Sequence, residues 1–139
     1  IPVLYLSRHI IDHKGHYYSG LRQVTEAQCW QPWILYMLHA IEQTARATRE
    51  RILAIRDALG ESIERVRTDL PKIYSKDLVE LLYRQPYCKI RFLEAAGIAQ
   101  RKTASHYLQE LARIGVLAPI KAGREMYYLN TALLEILSR

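Results

Sequence analysis

The sequence predicts a mostly helical chain that closes on a small β-hairpin, and three observations carry that expectation. From Ile34 to Leu59, apolar or small residues recur at alternating steps of four and three, the rhythm of a long helix. Further along, a short helical pattern and a longer one flank Gly97. Behind the longer one, two β-favouring runs are joined by Lys121-Ala122-Gly123-Arg124. Together they describe a helical bundle with one long helix, followed by a winged helix-turn-helix domain whose wing is the hairpin.

Leu4, Leu6, Ile10 and Ile11 predict a short first helix ending near Lys14-Gly15. Tyr17, Tyr18, Leu21 and Val24 predict a second through Ala27. Gln31-Pro32 opens the long third helix, because Pro is tolerated in a first turn. Trp30 and Trp33 bracket that Pro and are expected to be packing anchors. The seam of the long helix is Ile34, Leu38, Ile41, Ala45, Thr48, Ile52, Ile55 and Leu59, continued by Ile63 and Val66 until Pro71. Gly60 is the expected break or bend, since a mid-helix Gly costs about 1 kcal/mol relative to Ala. The seam needs a partner: the first two helices, an N-terminal domain, or a second copy of the chain. A homodimer through residues 33–69 is favoured, because coiled seams of this kind commonly pair.

Leu70-Pro71-Lys72 reads as a hinge that divides the chain into 1–71 and 72–139. Ser75 is the expected N-cap of a helix from Lys76 to Arg84, which Gln85-Pro86-Tyr87 ends. A helix from Lys89 to Ala96 stops at Gly97, where the turn between crossing helices needs positive φ. The longer helix starts near Gln100 and buries one stripe, Ala104, Leu108 and Leu111. Its other face offers Gln100, Arg101, Lys102, Thr103, Ser105, His106 and Gln109, side chains able to reach phosphates and base edges in a major groove. Gly115 ends this helix. Val116, Leu117 and Ile120 read as one strand and Met126 to Leu129 as its return, with Lys121 and Arg124 making the wing tip basic. A last helix covers Thr131 to Ser138.

Charge is distributed unevenly. Residues 1–71 hold nine Lys or Arg against eight Asp or Glu, a net of +1; residues 72–139 hold eleven against six, a net of +5. The excess sits on the winged half, where a footprint for double-stranded DNA would lie. Cys29 and Cys88 lack metal-type spacing and fit buried free thiols in a reducing cytoplasm. No apolar run reaches the roughly 18 residues that cross a bilayer, and no signal peptide is visible. The chain begins Ile1-Pro2 and reads as a piece of something longer.

No catalytic constellation emerges. His9 and His13 share a helix face, with His16 or Asp12 as the conceivable third metal ligand, but no Glu stands between them in the metalloprotease pattern. A solvated helix face is the favoured account, and no metal site is expected. The serines lack a nucleophile elbow, and neither GxGxxG nor a P-loop occurs.

Pro2-Val3-Leu4-Tyr5-Leu6-Ser7, Ile10-Ile11, Tyr17-Tyr18, Leu21, Val24, Trp30 and Trp33-Ile34, in that order, resemble the segment after the catalytic motif of Fic-family proteins. In many bacterial members a C-terminal winged helix follows. The pieces Gln85-Pro86-Tyr87, Ala96-Gly97-Ile98, Thr103-Ala104, Tyr107-Leu108, Leu111, Gly115, Leu117 and Gly123-Arg124-Glu125 are similar to it. The resemblance implies a parent that moves AMP from ATP, with a divalent cation, onto a target hydroxyl. The family's defining motif (His-x-Phe, an acidic residue, Gly-Asn-Gly and two arginines) maps onto no position here and is expected upstream of Ile1. The chain is therefore expected to be no enzyme alone, to bind no cofactor, and to need a missing N-terminal catalytic domain. Tyr17 and Tyr18 are its nearest approach to a nucleotide-site wall. Two roles follow for the winged helix: a regulatory DNA-binding module, or a protein-protein or dimerisation module that reads no DNA.

Overall fold

The computed structural model describes residues 5–138. Among the described residues, seven helices and three strands follow one another as α1 (Leu6–Asp12), α2 (Lys14–Ala27), α3 (Trp30–Asp69), α4 (Lys76–Leu82), β1 (Tyr87–Cys88), α5 (Ile90–Ala95), α6 (Arg101–Arg113), β2 (Ala118–Ala122), β3 (Glu125–Leu129) and α7 (Thr131–Ser138). The chain divides into two compact units, Ile1–Ile52 and Leu53–Arg139, so the division falls inside α3. Leu70-Pro71 does end that helix, as the sequence predicts. Its last turns nevertheless belong with the second unit, because Leu59, Ile63, Val66 and Leu70 lie in or against that unit's core.

In the first unit, α1 breaks at His13, just before the expected Lys14-Gly15, and Gly15 continues inside α2. The His13 N–H and Nδ1 both reach the His9 carbonyl, at 3.1 and 3.0 Å, which closes α1 without glycine. Leu4, assigned to α1 from the sequence, lies outside the described residues. Trp33 is the packing anchor: Tyr17 meets its ring at 5.0 Å, and a Cβ on Gly20 would stand 2.8 Å from it. Trp30 is not an anchor, since 54% of it is exposed. Cys29 is likewise exposed and not buried; only Cys88 is a core thiol, with burial pushing its pKa up to about 11.

The side of α3 that meets α1 and α2 carries Trp33, Tyr36 and Ala40, and Ala40 is fully buried. Seam residues Ile34, Leu38, Ile41 and Ile52 are exposed. The first two helices therefore leave the heptad seam uncovered. The helix continues through Gly60, around which there is open space, and makes no break there. The local propensity cost of about 1 kcal/mol is small beside the apolar burial of Leu59, Ile63 and Val66 on either side.

The second unit's core gathers Leu78, Val79 and Leu82 of α4, Leu93 of α5, and Ala104, Leu108 and Leu111 of α6. Val66, Cys88, Val116, Leu117 and Tyr128 complete it. The Ser75 side chain accepts from the Leu78 N–H at 3.2 Å, the cap expected at the start of α4. Gly97 takes φ +69 in the turn between α5 and α6. The sheet is antiparallel in the order β1-β3-β2, with Cys88 opposite Tyr128 and Ile120 opposite Tyr127. β2 starts at Ala118, while Val116 and Leu117 drop into the core ahead of it. Gly123 and Arg124 form the hairpin turn, with Gly123 at φ +62 in the first turn position. β1 was not foreseen; two residues are too few for any periodicity to show.

Asn130 joins the sheet to the helices. It is 2% exposed, and its Nδ2 donates to the Leu82 carbonyl at 3.2 Å while its Oδ1 accepts from the Leu133 N–H at 3.0 Å. Its backbone N–H donates to the Pro86 carbonyl at 2.9 Å. Asn130→Ala removes a helix cap and strands a buried carbonyl, so it is expected to destabilise by about 2–4 kcal/mol. Ser75→Ala removes only a cap, about 1 kcal/mol. Urea unfolding measures both, and an Asn130→Ala midpoint as close to the unaltered chain as that of Ser75→Ala would contradict the account.

Candidate nucleic-acid interface

Helix α6 can bury Ala104, Leu108 and Leu111 in only one rotation about its axis. That rotation leaves Gln100, Arg101, Lys102, Thr103, His106 and Gln109 exposed and Ser105 half-buried. Gln100 is the N-cap residue in extended conformation, φ −72 and ψ 160, and makes no side-chain cap hydrogen bond. The turn ahead of it is fixed by the Gly97 and Ile98 N–H groups, which donate to the Glu94 and Leu93 carbonyls at 3.0 Å. Lys121 stands exposed on β2 opposite Met126, and Arg124 is exposed in the hairpin turn.

Arg101 and Arg124 come together. They line one cleft of about 340 Å³ with Lys89, Ile90, Arg91, Glu94, Glu125 and Met126. His106 does not join them. It lines a separate hollow of about 300 Å³ with Asp69, Leu70, Pro71, Lys72, Ile73 and Glu110. Lys102, Thr103, Ser105, Gln109 and Lys121 line neither cavity.

Lys89 and Arg91 were not foreseen as part of the site. The pattern from Lys89 to Ala96 marks a packing helix, and only the fold shows that its charged entrance opens on the wing. Lys89 forms a clasp there. Its ammonium donates to Glu125 and, at 2.9 Å, to the Tyr127 hydroxyl, which in turn donates to Glu125 Oε2 at 3.2 Å. The same ammonium lies 4.0 Å from the centre of the Tyr127 ring. The Lys89 hydrogen bond, then that of Tyr127, holds the Glu125 carboxyl below the usual carboxylate range; Glu125 and Tyr127 raise Lys89 above its own.

The first unit presents aromatic stacking. His9 and His13 stack with ring centres 4.4 Å apart, and burial, then His13 and His39, lowers the His9 pKa. Among the described residues, no three His, Cys, Asp or Glu side chains stand where they could hold a metal ion. Tyr17 is half-buried on Trp33, and Tyr18 is 64% exposed. Among the described residues no helix is long and apolar enough to cross a membrane.

A sequence model of the C-terminal domain of SoFic-like protein adenylyltransferases matches residues 59–133. The match begins at Leu59, the first α3 residue packed on the second unit's core, and ends at the buried Leu133 of α7. It spans more than half of the chain, and the chain belongs to this family.

Glu125 is favoured in its charged form, so the clasp contributes above the usual carboxylate range and is lost as pH falls through the depressed pKa; Lys89 sets the upper limit, above its ordinary range. A carbon-detected NMR titration is expected to place the Glu125 midpoint below that of an ordinary glutamate, and Lys89→Met to raise it towards that range, with the Tyr127 hydrogen bond still holding it down. An ordinary midpoint in the unaltered chain would show that the clasp does not persist in solution.

Proposed function

We propose that this C-terminal domain of a SoFic-like protein adenylyltransferase is a regulatory module that docks on double-stranded DNA through its winged helix. The single observation that carries the proposal is the approach of Arg101, on the recognition-type helix, to Arg124, in the wing turn, across one cleft. In a bound duplex the first turns of α6 enter the major groove. Gln100, Arg101, Lys102, Thr103, Ser105 and Gln109 reach base edges and nearby phosphates, and Lys121 and Arg124 meet the flanking backbone. His106 sits beside Glu110 and the Asp69 end of α3, and contributes at the margin. The net +5 of residues 72–139 adds long-range attraction.

AMP transfer belongs, in this proposal, to a catalytic domain N-terminal to the residues seen here. That domain supplies ATP and divalent-cation binding, and the working compartment is the cytoplasm. Fluorescence anisotropy across a salt series tests the DNA proposal. Arg101→Ala with Lys102→Ala is expected to weaken binding to a labelled duplex and to lower the salt slope by about 2, about one per lost phosphate contact. A double variant that binds as well as the unaltered chain would sink it. Labelled ATP in place of duplex is expected to show no binding, and tight binding would move the nucleotide site into this chain.

A second interface is favoured by the uncovered seam. Ile34, Leu38, Ile41 and Ile52 lie on the heptad positions of α3 and are exposed. Pairing with a second copy along residues 33–69 would cover them. Sedimentation velocity is expected to show self-association that Leu38→Glu with Ile41→Glu abolishes. A chain that stays monomeric at high micromolar concentration excludes this homodimer and leaves the winged helix to act as a single copy.

A further inference from the structure

Three arginines line one cleft from three separate elements: Arg91 from α5, Arg101 from the first turn of α6, and Arg124 from the wing turn. None of the three forms an ion pair among the described residues, a condition shared with Arg8, Arg49, Arg51, Arg65 and Arg84; what sets the three apart is that they line one cleft. With Lys89 the cleft holds four cations against two carboxylates, Glu94 and Glu125, and Glu125 is already engaged by Lys89 and Tyr127. Like charges gathered without partners repel one another, and an incoming anion relieves that repulsion. The planar guanidinium fork suits two oxygens of one phosphate. Arg91 is partly steadied, its Cζ lying 5.5 Å from the centre of the Phe92 ring.

We infer that this cleft seats one phosphodiester of the bound duplex, with Arg91 as the third arginine on it beside Arg101 and Arg124. The inference rests on the DNA-docking proposal and adds a path for the strand: the backbone passes between the entrance of α5 and the wing. The clasp from Lys89 to Glu125 sets the width of that passage, because it ties the wing to the residue that precedes α5. Glu94, the cleft's carboxylate without an ion-pair partner among the described residues, opposes the phosphate.

The experiment is the duplex anisotropy series on this chain carrying Arg91→Ala, Arg91→Lys, Glu94→Gln or Arg113→Ala. Arg91→Ala is expected to lower the salt slope by about 1 and the affinity several-fold. Arg91→Lys keeps the charge and is expected to restore the slope. Glu94→Gln removes a repelling charge and is expected to strengthen binding. Arg113→Ala lies at the far end of α6 and is expected to leave the slope unchanged. Arg91 is exposed, so its variants are expected to melt with the unaltered chain by circular dichroism, which separates lost contact from lost fold. An unchanged slope and affinity for Arg91→Ala, alongside a loss for Arg101→Ala with Lys102→Ala, overturns the inference and leaves the docking proposal standing. A chain that binds no duplex at low salt overturns both.

Discussion

The rotation of α6 about its own axis is the constraint on which the site depends. Ala104, Leu108 and Leu111 are fully buried, and their spacing admits one orientation of the helix against α4 and α5. Ala104 has a further part in this, because a small residue at the first contact lets α6 lie close to its neighbours. A turn of the helix that exposed the stripe would forfeit two leucines' burial, at roughly 2–3 kcal/mol each. That loss would be a large fraction of the stability of a small domain. The outward placement of Arg101 and Lys102 is thus a consequence of apolar packing on the opposite side.

The wing is held at two points by different physics. At its root, Tyr128 is buried in the core and Asn130 bonds the chain to α4 and α7. Removal of water makes those hydrogen bonds costly to lose. Towards its tip, Glu125 is held by the ammonium of Lys89, the residue that precedes α5, and by the phenol of Tyr127 on its own strand. That contact faces solvent and responds to pH and salt. The root therefore sets where the hairpin lies, and the clasp sets how far its tip stands from α5.

Much of this was legible in the sequence, for reasons that local physics supplies. The stripe on α6, the cap at Ser75 and the positive-φ glycine at Gly97 are each determined by a few neighbouring residues. The elements that escaped are those set by distant ones. Tyr87-Cys88 became a strand only because Leu129 and Tyr128 came to lie beside it. Trp30 and Trp33 are indistinguishable by spacing, and only the approach of α2 selects Trp33. The same holds for Arg91, which joins the cleft because the wing returns across the start of α5. The heptad seam was visible, but not that α1 and α2 would pack on a different side of the same helix.

That last point separates two kinds of surface on one chain. The seam of α3 is aliphatic, and its attraction to any partner comes from removing apolar area from water. The cleft by the wing is cationic, and the attraction proposed for it would come from ions released as a phosphate enters. Added salt leaves the first intact or strengthens it, and erodes the second steeply. The two proposed interfaces therefore need not be populated under the same conditions. If both form, low ionic strength would let them act at once, and a complex isolated there would mix their effects. High ionic strength isolates the apolar seam, so a self-association that survives it cannot be attributed to shared nucleic acid bridging two chains through their arginines.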